Sequence, residues 1–349
     1  MMCRVVNILL FSLFSLLFFS SCEHRPLTDP VDTHYVRVYF DEQIKNVTCG
    51  FYNSELERPE YDSPGIVRVV LASPETGEIV SERYLSKKSR DGNGNYVDGY
   101  IAAPAGTYNV MVYQMGSSVT HFRNEDNFYQ MEAFTTQISD RLMQYLPTIS
   151  SEVDKSCIVN QPEHIFHSVY ENVKLVTNTE PDTLRSASGD YFTAGSMVKS
   201  YYMQVRVKGF ESIKSAVCVI NGMAGSVKMC GYNLLDASNP VYVFSGMNYT
   251  ARERVQKSNT TTALLYATFN TFGRVPDYDD GYIISFEFIL GDGSTQTEKI
   301  DITNLFDTPY VKENQWIILD QEIEINYTGG GGLDPGVEGW KDIEADIIM

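Results

Sequence analysis

Few residues in this 349-residue chain have the types and spacing that chemistry needs. His164 and His167, with Glu163 beside them, form the one close pair among five histidines. On a helix that spacing would let both rings reach one metal ion. On a strand, residues three apart face opposite sides and cannot. Pro162 precedes the pair and strand-like sequence follows it, so no metal site is expected there. Asp91, Asn93 and Asn95 have the first, third and fifth positions of a calcium loop, but the sixth is Tyr96 instead of glycine and the twelfth is Ala102 instead of a carboxylate. The motif fails, and a hairpin turn explains the three residues. Asp277, Tyr278, Asp279 and Asp280 read as a solvated acidic turn. There is no G-x-S-x-G, no nucleotide-binding glycine loop and no H-E-x-x-H. The expectation is a non-enzyme with no catalytic residue, metal or cofactor. The enzyme reading that stays open is a carboxylate pair for glycoside hydrolysis, because such pairs are distant in sequence.

The elements that carry these residues are β-strands. Tyr is abundant at 23, with 18 Phe, 25 Gly and only two Trp. Aromatic and β-branched residues favour strands, and Gly, Asn and Asp favour turns. Lys plus Arg number 27 against 45 Asp plus Glu, a formal charge of −18. Such a surface repels phosphate, so nucleic acid is not an expected partner, and anionic lipid headgroups are equally unattractive.

The N-terminus decides the compartment. Met1 to Ser21 is a short apolar segment with a single charge, Arg4, and Val5 to Phe19 is too short for a comfortable membrane span. It fits a secretory signal peptide. The ending Ser20-Ser21-Cys22 resembles the lipobox of bacterial lipoproteins, with Phe19 where Leu or Val is usual. That resemblance implies lipid on Cys22. An ordinary signal peptide followed by a coincidental cysteine is the competing reading. Cys3 leaves with the signal peptide, so Cys49, Cys157, Cys218 and Cys230 remain, an even number in an oxidising compartment. Cys218 and Cys230 flank an expected hairpin turn at Gly222-Met223-Ala224-Gly225 and are the pair best placed for a disulfide; free buried thiols are the other reading.

Along the mature chain, Glu23 to Thr33 is polar with two prolines and reads as a tether. Tyr35, Arg37 and Tyr39 alternate with Val36, Val38 and Phe40, as in a half-buried strand. Val110 and Val112 alternate with Met111 and Tyr113 in the same way. Hairpins are expected around 73–78, 91–95 and 291–294. Short helical turns are expected near Gln137 to Tyr145, and a loop over Asn178 to Gly195. Short strands at this spacing predict β-sandwiches. The expected organisation is a signal peptide at 1–21, a tether at 22–33, β-sandwiches at 34–163 and 164–327, and a Gly-rich tail at 328–349.

Several local patterns resemble the fimbrillin-like lipoproteins of Bacteroidetes. Pro104-Ala105-Gly106-Thr107-Tyr108, leading into an alternating strand, is similar to their first domain. The run Tyr202 to Phe210, the segment Ile213 to Met229, the phrase Ala267 to Gly273 and Asp301-Ile302-Thr303 are similar to their second, and Trp340 closes a similar Gly-rich tail. The resemblance implies an all-β fold of two tandem transthyretin-like sandwiches. It also implies a lipid-anchored place at the outer membrane or in fimbriae, as an accessory, tip or anchor subunit serving adhesion and fimbria assembly. Partners would be other fimbrial subunits, joined by strand donation. In such proteins an arginine-specific protease can remove the lipidated first strand, and Arg58 and Arg90 are the basic loop residues placed for that. Asp182-Thr183-Leu184 resembles the O-glycosylation sequon of the same bacteria, which would place sugar on Thr183. The alternative function is a surface glycan-binding lipoprotein, whose Tyr-rich loops stack on sugars of a host or glycan ligand.

Overall fold

The computed structural model describes residues 32–41, 64–115, 118–176, 182–231, 240–254, 261–276, 278–314 and 316–326. In chain order the first ten strands are β1 (Asp32–Phe40), β2 (Val67–Ala72), β3 (Ile79–Leu85), β4 (Lys87–Asp91), β5 (Gly94–Ala103), β6 (Gly106–Gln114), β7 (Thr120–Arg123), β8 (Glu132–Thr135), β9 (Ile158–Val159) and β10 (Phe166–Leu175). The remainder are β11 (Phe192–Ser196), β12 (Lys199–Lys208), β13 (Ile213–Ala224), β14 (Ser226–Lys228), β15 (Pro240–Gly246), β16 (Asn248–Arg254), β17 (Thr261–Thr271), β18 (Ile283–Leu290), β19 (Thr295–Asp301) and β20 (Trp316–Glu324). Three short helices accompany them: α1 (Asp140–Met143), α2 (Ile149–Glu152) and α3 (Pro309–Asn314). The fold is all-β, as the aromatic and turn-residue composition predicts.

One eight-stranded sheet runs β3-β2-β6-β10-β11-β1-β5-β4. It curls until β3 returns to β5, where the Ser81 hydroxyl donates to the Ala102 carbonyl at 2.6 Å. The enclosed core takes alternate residues of each strand, among them Val36, Val38, Val69, Val110, Phe166 and Phe192. A second core lies between the four-stranded sheet β16-β17-β12-β20 and the five-stranded sheet β19-β18-β13-β15-β9. Met203 and Val205 of β12 there face Cys218 and Ile220 of β13 and Phe286 of β18. The other face of β13 is covered as well, because Val217 and Val219 pack under Leu142, Leu146 and Ile149. A strand covered on both faces reads as a continuous apolar run, which is why β13 shows so little alternation.

Three local expectations change. No hairpin forms at 222–225. β13 continues through Gly222, which adopts φ +69° where the register with β15 slips between Ile220 and Met223. Asn-Gly there makes a β-bulge, which needs the same left-handed glycine as a tight turn. The expected loop over 178–195 ends in β11, which pairs with β1 and β10. Finally, β10 and β11 lie beyond residue 163 yet belong to the sheet of β1, while β9 joins the sheet of β15.

Candidate functional site

β1 is the first described strand and is paired along both edges. Asp32 to Tyr39 run antiparallel to Ala103 to Tyr96 of β5. On the other side Val38, Tyr39 and Phe40 run parallel to Phe192, Thr193 and Ala194 of β11. Nearer its start, the Tyr35 N–H donates to the Asp182 carbonyl at 2.9 Å, and the Leu184 N–H donates to the Tyr35 carbonyl at 2.7 Å. Val36, Val38 and Phe40 point into the core. Withdrawing β1 would leave an apolar slot between two unpaired strand edges.

The outward residues of β1 are stapled to their neighbours. The Tyr39 hydroxyl donates to Asp91 at 2.7 Å and the Arg37 guanidinium donates to the same carboxylate at 3.1 Å. The Tyr35 hydroxyl donates to Asp98 at 2.7 Å. Arg37 stacks over the Tyr96 ring with 4.2 Å from its central carbon to the ring centre, and the Tyr39 and Tyr191 rings meet edge to face at 5.5 Å. Hydrogen bonding to Tyr39 and then Tyr35 holds the Arg37 pKa above its usual value, and the bond from Tyr39 lowers that of Asp91. Burial, with the Asp98 contact second, raises that of Tyr35. These contacts hold β1 in place; they form no catalytic array.

The residues singled out in the sequence scatter. Cys22, Arg58 and the tail at 328–349 lie outside the described residues. Arg90 is exposed, but it stands in β4 opposite Asn95 of β5 instead of in a loop. The turn after it is the expected hairpin, with Asp91 accepting the Asn93 N–H at 2.8 Å. Thr183 is half-buried and bridges to Tyr35. The Cys218–Cys230 disulfide is not formed, because both are free thiols in different cores. With no hairpin at 222–225 the chain carries them apart: Cys218 points into the second core, and Cys230 donates to the Tyr129 carbonyl at 3.3 Å. The histidine pair divides, His164 lying between the hydroxyls of Ser196 and Ser200 at 3.1 Å each while His167 is buried. Among the described residues no group of three His, Cys, Asp or Glu could hold a metal ion.

A family model described as a domain of unknown function, DUF5119, matches residues 21–244. A Bacteroides ovatus protein bearing the name "Putative fimbrium anchoring subunit Fim4B" is 24% identical over 284 residues, which cover 72% of this chain and 79% of that protein. A crystal structure described as a "putative adhesin" from Bacteroides ovatus superposes with a TM-score of 0.57 at 18% identity, covering 87% of this chain and 95% of its own, and so shares the fold. The fimbrial anchor protein Mfa2 from Porphyromonas gingivalis aligns over 85% of this chain and 92% of its own, at 13% identity and a TM-score of 0.42.

Proposed function

The chain belongs to the DUF5119 family, and we propose that it is a non-enzymatic cell-surface subunit of a fimbria, in an accessory, tip or anchor position. The observation that carries this is the similarity, over 72% of this chain, to the Bacteroides ovatus protein named as a fimbrium anchoring subunit. Removal of residues 1–21 would expose Cys22, and lipid on that thiol would hold the chain at the outer membrane, with 22–33 as the tether. The rest of the chain would form two tandem transthyretin-like units.

Contacts with neighbouring subunits would use strand exchange. The position of β1 supports this: it follows the tether directly, and its loss opens a slot lined on both sides by backbone groups that a donor strand can pair. The strand order also separates the two arginines. A cut after Arg58 would free β1 alone. A cut after Arg90 would detach β2 and β3 as well, and all six residues of β2 are buried. Only Arg58 is compatible with exchanging a single strand. The polar staple on Tyr35, Arg37 and Tyr39 favours a retained β1, and hence a lipid that stays as a permanent anchor.

The test is N-terminal sequencing and intact mass of the protein from native outer-membrane and fimbrial fractions. The expected result is an acylated Cys22 terminus on a chain that co-isolates with filaments. A terminus after Arg58 would overturn the permanent anchor, and a soluble chain free of filaments would overturn the fimbrial role. The same mass reads any sugar on Thr183.

A further inference from the structure

A cleft of about 520 Å³ opens at the end of the first sandwich where β1 begins, β10 ends and the segment before β11 crosses. Its volume lies within the ~300–1,000 Å³ of small-ligand sites. Its walls combine His34, Lys174, Leu175, Thr183, Leu184 and Arg185. The wall meets the strand slot at one end, since His34 belongs to β1 and residues 182–184 pair with Tyr35, and it extends from there to the far end of β10.

The cleft gathers cations in an acidic protein. The chain carries a formal −18, yet Lys174 and Arg185 stand on the cleft wall and neither forms an ion pair among the described residues. Arg185 is held in place by stacking at 3.9 Å over Tyr191 and by donating to the Gly189 carbonyl at 3.3 Å. A guanidinium fixed in that way keeps its remaining N–H groups for an incoming acceptor. Among the described lining residues the one acid is Asp182, exposed, whose carboxylate accepts the Thr183 N–H at 2.7 Å. His34, only 3% exposed, has an Nε2 with no hydrogen-bond partner. A buried polar atom of this kind calls for a partner that the protein itself does not supply. Leu175 and Leu184 belong to the core beneath the cleft, Val176, 53% exposed, adds accessible apolar surface, and Asn172 and Thr183 add amide and hydroxyl groups.

We propose that this cleft binds an acidic sugar residue: a pyranose ring carrying a carboxylate. The carboxylate goes to Lys174 and Arg185, the ring packs on the exposed Val176, and the ring hydroxyls meet Thr183 and Asn172. The mixture decides the class. A bare anion would not use Val176 and the hydroxyl and amide of Thr183 and Asn172, and a neutral sugar would not use two cations that form no ion pair among the described residues. The inference is separate from the fimbrial assignment, since it concerns ligand binding by the isolated chain.

The test is isothermal titration of the mature chain with glucuronate and N-acetylneuraminate, and with glucose and acetate as the two halves of the chemistry. At least one acidic sugar is expected to bind saturably, about tenfold or more tighter than glucose or acetate. Lys174→Ala and Arg185→Ala are exposed-residue changes that leave the fold intact, and each is expected to weaken binding about tenfold, the factor equivalent to one charged hydrogen bond of ~1.4 kcal/mol. Equal binding of glucose, equal binding of acetate, no binding of either acidic sugar, or no effect of both cation variants would each overturn the proposal. None of these outcomes bears on whether the chain co-isolates with filaments.

Discussion

Burial holds the imidazoles of His164 and His167 near a pKa of about 4, well below the ordinary 6.5. A histidine whose folded pKa is depressed stabilises the fold while it is neutral in both states. As pH falls below 6.5 the unfolded chain takes up protons that the folded chain refuses, so stability declines down to about pH 4. A depression of this size corresponds to at most about 3.5 kcal/mol for each histidine. Urea midpoints of the protein should therefore fall steadily from pH 7 to pH 4.5. The variant His164→Gln/His167→Gln should lose most of that slope, whatever its stability at pH 7, and an unchanged slope would rule out these two residues as the cause. The pair was visible in the sequence as the one close histidine constellation. That it acts through burial was not, because Ser196 and Ser200, the partners of His164, lie 32 and 36 residues away.

Among elements, β1 shows what alternation reveals and what it hides. The period of two placed Val36, Val38 and Phe40 inside and Tyr35, Arg37 and Tyr39 outside, and the fold agrees. The partners of the outward three were hidden, since Asp91 and Asp98 lie 52 to 63 residues along the chain and their approach depends on strand register. β11 was hidden too: Phe192–Ser196 is short, contains a glycine and acquires its strand character from parallel pairing with β1. Register also governs how firmly β1 is held. After cleavage in 42–63 by an arginine-specific protease, β1 should remain bound without a covalent link and exchange with an added peptide of residues 32–41. Arg37→Ala removes both the Asp91 pair and the stack on Tyr96, and should speed that exchange about tenfold, the factor for ~1.4 kcal/mol. Mass spectrometry of the native complex follows the swap. An unchanged rate would show that backbone pairing alone retains the strand. Arg90 should resist the protease under the same conditions, because its backbone is engaged with β5.

At the scale of the whole molecule, the expected split at residue 163 meets an interlocked chain. The segment between β8, the middle strand of a three-stranded sheet β14-β8-β7, and β9 covers the second sandwich, where buried Glu287 accepts the N–H groups of Thr148 at 2.6 Å and Ile149 at 3.0 Å. In return β14 pairs with β8, Val227 lying opposite Ala133. Between the two cores sits a third apolar cluster that joins Met111 and Phe128 to Met229 and Phe272. Relative motion is the default for linked domains unless a substantial apolar interface prevents it, and this cluster with its strand pairing supplies one. The consequence is mechanical: a load entering at β1 passes into the second sandwich through packed side chains as well as through the backbone crossings on either side of β9 and from β11 to β12. Calorimetry should show one cooperative transition for the protein. Phe272 is 1% exposed at the centre of this cluster, and Phe272→Ala should cost about 3–5 kcal/mol. It should also split the transition in two, because the residue belongs to the junction and to neither sandwich core. Two transitions already present in the unmodified chain would show that the cluster fills the junction without coupling its sides, and the load would then pass through the backbone alone.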